Sequence, residues 1–171
     1  MAITTDQVAA HEAGHAVVAM ALGVRVTAIT GIVGKHADSF LVGAFETFNT
    51  ELDMQTMYLL EARATYLIAV GGFAGEIAHE GIVEPRGALD DLTRLRQVDL
   101  TDFQIQLLTG VAMEIIEENR QLWEEIYYAA LCAIEARQTM IVPGEIMQRR
   151  FAQIGKQFTD TARLEAMMPD D

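Results

Sequence analysis

The stretch TTDQVAAHEAGHAVVAMALG, residues 4–23, decides the fold of this chain because it predicts one long, buried helix. Thr4 and Gln7 have the spacing of a capping box, in which each side chain hydrogen-bonds the backbone N–H of the other residue. Gly23 is a typical helix stop. Small apolar residues surround the middle of the stretch, so the helix, predicted over residues 2–22, is expected to be buried on most sides.

Residues 11–15 of this helix read His-Glu-Ala-Gly-His, the HExxH spacing of zinc hydrolases. Residues four apart share one helix face with about 5–6 Å between their Cβ atoms, so His11 and His15 can bind one metal ion together. Glu12 lies one step round the helix and is the predicted general base. Gly14 costs about 1 kcal/mol of helix propensity relative to alanine, which predicts a close approach by another segment.

The alternative is an amphipathic helix with two ordinary histidines on its polar side. The apolar surroundings disfavour it, because buried imidazoles and a buried carboxylate are costly unless a partner satisfies them. A metal ion bound to His11 and His15 would be such a partner.

The composition excludes several classes of protein. Hydrophobic residues make up 51% of the 171 residues and only three are proline, which predicts a compact globular protein. The net charge of −13, with no basic stripe, disfavours binding to nucleic acids and to anionic membranes. The longest apolar runs, residues 16–24 and 67–74, are shorter than the roughly 18–20 residues of a membrane span.

Cys132 is the only cysteine, so no internal disulfide can form. Its apolar neighbours predict a small core residue rather than a nucleophile. The first residues lack the basic start and apolar stretch of a signal peptide. The sequence therefore predicts a cytoplasmic protein without a membrane span.

The pattern of the remaining chain predicts an α+β fold in one domain, residues 1–171, with helices dominant, a small β element and a C-terminal helical bundle. The β element comprises two strands joined by a loop that contains His36. A long helix capped by residues 49–51 is expected to be broken or closely packed at Gly71 and Gly72. The predicted elements are strands at 24–29 and 40–48, helices at 52–79, 90–98, 101–136 and 145–154, and a frayed tail at 166–171.

Two histidines leave a zinc site one protein ligand short. Several downstream residues offer an oxygen or nitrogen ligand, and their spacing does not select among them: Glu76, His79, Glu80, Glu84, Asp90 and Asp91. Glu76, beside glycines in a predicted helix, is interpreted either as a partner that orients a ligand histidine or as a solvated helix residue. His36 and His79 are expected at the surface.

Three motifs follow one another along the chain: HEAGHAVV at residues 11–18, GGFAGE at 71–76 and GALDDL at 87–92. Together they resemble the zinc-binding helix, the Gly-Gly-x-x-(Ala/Gly)-Glu segment and the Gly-Ala-x-x-Asp stretch in the peptidase domain of FtsH-type ATP-dependent zinc metalloproteases. Weaker similarity toward the C-terminus extends the resemblance over nearly the whole chain. Because the final Asp of the third motif is a zinc ligand in that family, the resemblance implies Asp91 as the third ligand, with Asp90 free to cap the helix.

The resemblance implies a Zn²⁺-dependent metalloendopeptidase that hydrolyses peptides or unfolded proteins. Zinc held by His11, His15 and Asp91 would activate a water molecule, and Glu12 would accept its proton. The strand at 40–48 would offer an edge along which an extended peptide pairs.

The chain departs from that family because it carries neither the ATPase module nor a membrane span. Residues 31–35, GIVGK, are too short for a phosphate-binding P-loop. Three interpretations of the chain stay open: a stand-alone peptidase, a partner of a separate ATPase, or a fragment of a longer protein. Assembly into a homo-oligomeric ring also stays open. Two other functions also stay open: a non-catalytic, metal-stabilised binding module, which an intact Glu12 disfavours, and a zinc amidohydrolase for small substrates.

Overall fold

The computed structural model describes residues 3–33, 45–81 and 89–168. Helices dominate these residues and one small antiparallel sheet accompanies them, which confirms the predicted α+β class. In chain order the elements are α1 (Thr5–Ala21), β1 (Val26–Val33), β2 (Phe45–Leu52), α2 (Met54–Met57), α3 (Ala62–Glu80), α4 (Leu89–Gln97), α5 (Asp102–Glu118), α6 (Arg120–Glu135), β3 (Met140–Pro143), α7 (Gly144–Ile154) and α8 (Thr161–Met167).

Helix α1 has the ends that its sequence predicts. Thr4 accepts a hydrogen bond from the backbone N–H of Gln7, and the Gln7 side chain accepts one from the backbone N–H of Thr4. Gly23 follows the helix with φ +81°, a left-handed conformation that glycine adopts without strain. Buried residues occupy every side of α1 from Val8 to Ala21, which confirms the expected burial.

The other elements are arranged around α1. Its most extensive contact is with α3, and α6 and the sheet cover further sides. The C-terminal helices pack onto this pair, α5 against α3 and α6 against α1. The HExxH pentad therefore lies in the interior, between helices and sheet.

The sheet has the order β2-β1-β3, with β1 in the centre and both neighbours antiparallel to it. β2 pairs with β1 from Leu52, opposite Val26, to Phe45, opposite Val33. The other edge of β2 pairs with no strand among the residues that the structure describes. The sequence did not predict β3, whose buried residues Ile141 and Val142 precede α7.

The prediction for residues 40–62 is wrong in its details. The second strand is β2 at Phe45–Leu52, while residues 40–44 lie outside the described ranges. Residues 49–51 belong to this strand and cap no helix, because pairing along β1 satisfies their backbone groups. Asp53 instead caps the short α2 by accepting a hydrogen bond from the N–H of Gln55. The long helix begins at Ala62.

Two predictions for the C-terminal part are also corrected. The helix expected over residues 101–136 is divided into α5 and α6 by Asn119, whose side-chain amide donates to the carbonyl oxygens of Ile115 and Lys156. The tail is helical to Met167, and the buried Met168 accepts a hydrogen bond from Nε of Arg63 at 2.7 Å through its carbonyl oxygen. Burial and this bond hold residues 166–168, which were expected to fray. Residues 169–171 lie outside the described ranges.

Within residues 3–33, 45–81 and 89–168, no helix has both the length and the apolarity that crossing a bilayer requires. Cys132 is exposed on α6 and not in the core, because its neighbours Ala133 and Ile134 take the buried face of the helix.

Candidate metal centre

The charged residues of the pentad are buried in the middle of α1. His11 and Glu12 keep only 8% and 7% of their surface exposed, and His15 is half-buried. Unpaired groups of this kind are costly in a protein interior, so each needs a specific partner.

Helices α1 and α3 touch through their backbones. A Cβ on Gly14 would overlap the carbonyl oxygen of Gly71, and a Cβ on Gly75 would overlap that of Ala10. This confirms the close approach predicted from Gly14, and it shows that α3 is closely packed and unbroken at its glycines. The contact places side chains of α3 directly beside the histidines.

Gly72 provides the space for the first imidazole. A Cβ there would overlap the ring of His11, so only glycine lets the ring lie against α3. The ring of Phe73 meets the same imidazole edge-on, with 6.4 Å between centroids. The orientation of His11 is therefore set by packing as well as by hydrogen bonds.

Three side-chain atoms converge at one point beside α1. Oδ2 of Asp91 lies 2.9 Å from Nε2 of His11 and 3.1 Å from Nε2 of His15, and the two Nε2 atoms are 3.0 Å apart. Asp91 comes from the first turn of α4, 76 residues along the chain from His15. The structure thus brings together the two histidines of the pentad and Asp91, the aspartate that the family resemblance implies as third ligand.

The opposite nitrogen of each ring has its own acceptor. Nδ1 of His15 lies 2.7 Å from the carbonyl oxygen of Ile68, and Nδ1 of His11 lies 2.5 Å from Oε1 of Glu76. A carbonyl oxygen only accepts, and an ionised carboxylate does the same, so both Nδ1 atoms carry hydrogen. In the neutral rings, each Nε2 atom therefore carries a lone pair, and this lone pair points toward Asp91.

This donor set could hold a metal ion. Three lone-pair atoms about 3 Å apart repel one another unless a cation lies among them. In a tetrahedral site with bonds of about 2.0–2.1 Å, ligand atoms are roughly 3.3 Å apart, close to the separations of this triangle. Buried Nδ1–H donors to a carboxylate and a carbonyl are also the usual partners of ligand histidines.

In the metal-free molecule, the neighbours of His11 favour a proton on its imidazole. Burial by itself would lower the pKa of His11, but hydrogen bonds to Asp91 and Glu76 outweigh it and raise the pKa from 6.5 to about 10. Burial would raise the pKa of Asp91, and hydrogen bonds from His11 and His15 outweigh it and bring the pKa well below its usual range. The site therefore favours positive charge at its centre.

Glu12 is held on the sheet side of α1. Oγ1 of Thr50, on strand β2, donates a hydrogen bond of 2.5 Å to Oε2 of Glu12. The same hydroxyl lies 3.2 Å from the carbonyl oxygen of Glu12. The predicted general base is thus oriented by a residue outside the pentad.

The other predicted ligands do not join this group. Glu76 contacts Nδ1 of His11, as expected of a residue that orients a ligand. His79 and Glu80 lie at the end of α3, where they are 3.5 Å apart and His79 packs against the ring of Tyr127. His79 is half-buried by this contact, so the expected surface position is only partly met. Glu84 and His36 lie outside the described residues, as does the side chain of Asp90.

Two residues of the site are not predicted from the sequence. Ile68 acts through its backbone carbonyl, which carries no sequence signal. Thr50 is predicted within a helix cap, because polar and apolar residues do not alternate over 45–52. The aromatic and β-branched residues of this segment, Phe45, Thr47, Phe48 and Thr50, are its main signal for a strand.

Comparisons of this chain with models of known protein families, with curated proteins and with solved structures find no match.

Proposed function

We propose that this chain is a zinc-dependent metalloendopeptidase in which His11, His15 and Asp91 hold Zn²⁺ and Glu12 is the general base. One observation carries the proposal. Two histidine nitrogens of α1 and one carboxylate oxygen of α4 converge within 2.9–3.1 Å of one another, and α1 also carries a buried carboxylate, Glu12, between the two histidines. Three protein ligands and one open position are typical of catalytic zinc, whereas structural zinc sites are closed by four.

Each residue has one task in this proposal. His11 and His15 bind through Nε2, because Glu76 and the Ile68 carbonyl occupy their Nδ1 atoms. A zinc ion held by these residues would supply Lewis acidity for activating water and polarising a carbonyl group. Glu12 accepts the proton of the attacking water and delivers it to the leaving nitrogen.

The position of β2 supports a peptide as substrate. One edge of this strand pairs with β1, and the other pairs with no strand among the described residues. An extended peptide can add to such an edge through its main chain, with little dependence on its sequence. Because Thr50 of β2 contacts Glu12, a peptide on this strand would lie close to the general base.

Peptides and unfolded proteins are the proposed substrates, since their main-chain groups are free to pair along the edge of β2. For folded substrates we propose a separate ATPase as partner. A single cysteine, which excludes an internal disulfide, favours action in the cytoplasm.

The first test measures zinc per chain after equilibration with zinc and desalting. We expect about one zinc in the wild type and much less in Asp91→Ala, because the variant removes one of three ligands. Asp102→Ala is the matched control, since Asp102 also lies in the first turn of a helix but is exposed and forms an ion pair with Arg96. Equal zinc in wild type and Asp91→Ala would contradict the proposed ligand set.

The same preparations then test the reaction. Glu12→Gln should retain zinc and lose hydrolysis of an unfolded protein, because an amide cannot accept the proton. A binding module would show no hydrolysis even in the wild type. Cleavage of small amides without cleavage of unfolded protein would instead indicate an amidohydrolase and no role for the β2 edge.

A further inference from the structure

Thr50 and Glu12 make a contact that local sequence does not predict. The hydroxyl of Thr50 donates to Oε2 of Glu12 at 2.5 Å, across 38 residues of chain. Among the described residues, the other carboxylate oxygen, Oε1, receives no hydrogen bond. The contact therefore engages one oxygen of the carboxylate and leaves the second for a water molecule.

The sheet determines where this hydroxyl lies. Thr50 pairs with Ile29 in the β2–β1 ladder. Just after the end of β2, the N–H of Asp53 donates a hydrogen bond of 2.8 Å to the carbonyl oxygen of Arg25, which fixes this end of the strand. Threonine is β-branched and has few rotamers on a strand. Its hydroxyl is therefore a fixed donor.

Glu12 needs such a donor. A glutamate side chain has three rotatable bonds, and helix geometry sets only the position of its Cα and Cβ atoms. Proton transfer requires a carboxylate oxygen within hydrogen-bond reach of the water, and small misplacements of reacting groups reduce rates strongly. A hydrogen bond that holds Oε2 restricts the position of Oε1 as well.

We infer that Thr50 is a positioning residue for Glu12, which its hydroxyl holds so that one carboxylate oxygen faces the attacking water. This inference rests on the proposed function. It also links the strand that would bind the peptide to the base that would act on it, because Thr50 belongs to β2 and contacts Glu12 directly.

The test compares peptide hydrolysis by zinc-loaded wild type, Thr50→Val and Thr50→Ser. Valine keeps the shape of threonine and removes the hydroxyl, so we expect kcat to fall about 10- to 100-fold. KM and zinc per chain should stay unchanged, because neither substrate groups nor metal ligands are altered. Thr50→Ser keeps the hydroxyl and should restore most of kcat.

Thr30→Val is the matched control. Thr30 lies on β1, and its hydroxyl donates to Oε1 of Glu51 at 3.1 Å, so the variant removes the same kind of bond from the same sheet away from the pentad. We expect its kcat to equal that of the wild type. If Thr50→Val fails to fold by circular dichroism, Thr50→Ala against Thr50→Ser makes the same hydroxyl comparison without the added methyl group.

The outcomes separate this inference from the proposed function. A wild type that cleaves peptides, with Thr50→Val equally fast, overturns the role of Thr50 and leaves the proposed function intact. An equal loss of kcat in the valine and serine variants, or a loss in Thr30→Val as large as in Thr50→Val, also overturns it. No hydrolysis by zinc-loaded wild type overturns both.

Discussion

Glu76 and His11 form the most buried polar contact of the site. The exposed fractions of their side chains are 3% and 11%, and Oε1 of Glu76 lies 2.5 Å from Nδ1 of His11. A carboxylate at this position fixes the tautomer of the imidazole and increases the basicity of Nε2. In the proposed function, Glu76 would therefore act on bound zinc through His11.

We expect Glu76→Gln to weaken zinc binding about 10- to 100-fold, the range found for such partners. The amide can still accept the Nδ1 hydrogen, but without the negative charge that strengthens the ligand. Zinc affinity measured by competition with a chelating dye checks this. Glu80→Gln, one turn along α3 and more exposed, should bind zinc as the wild type does. Unchanged affinity in Glu76→Gln would exclude this role for the carboxylate.

At the scale of elements, the site depends on how closely α1 and α3 pack. Gly14 and Gly75 allow backbone contact, and Gly72 accommodates the His11 ring. Glu76 and the Ile68 carbonyl, both on α3, reach the histidines only at this separation. The glycines cost helix propensity, and their close packing offsets that cost.

Gly14→Ala should lower the free energy of unfolding by about 1–3 kcal/mol, because the added methyl group overlaps the backbone of α3. It should also weaken zinc binding by moving Glu76 and Ile68 away from the histidines. Urea denaturation and zinc competition measure the two effects. Gly110→Ala is the control: a Cβ there meets open space in the middle of α5, so this variant should be about 0.5–1 kcal/mol more stable. Stabilisation by Gly14→Ala would contradict the described helix contact.

At the scale of the whole molecule, proton binding at the site couples to folding. The folded state raises the pKa of His11 from 6.5 to about 10. The proton on His11 therefore stabilises the folded state fully below pH 6.5, and this contribution is lost as the pH rises toward 10. The pKa of Asp91 is lowered from 3.8, so its contribution is present above pH 3.8 and is lost as the pH falls. Both contributions are present together between these two values.

We therefore expect the metal-free protein to be most stable between pH 3.8 and 6.5. From pH 7 to 9, the release of one proton linked to folding should lower the free energy of unfolding by on the order of 1 kcal/mol per pH unit. Zinc binding requires unprotonated His11, so the stabilisation by zinc should grow over the same range. Urea denaturation with chelator and with zinc measures both curves. His11→Gln should flatten the metal-free curve above pH 7; an unchanged slope would show that other groups cause it.

Local geometry explains what the sequence determined by itself. The capping box at Thr4, the stop at Gly23 and the burial of α1 depend on residues within a few turns of one helix. His11, Glu12 and His15 could be recognised for the same reason, because residues four apart always share a helix face. The glycines of α1 and α3 likewise predicted a close approach. Glycine destabilises a helix relative to alanine, and close packing against another segment offsets that loss.

Only the tertiary structure decided which distant residues complete the site. The family resemblance implied Asp91, but no spacing along the chain explains it. Among the described downstream candidates, Asp91 meets the histidines because of how α3 and α4 are packed. The prediction for Thr50 is wrong because its segment carries helix-capping residues, whereas pairing with β1 makes that segment a strand. Contacts across 38 to 80 residues depend on the packing of whole elements, whereas sequence patterns report neighbours within one element.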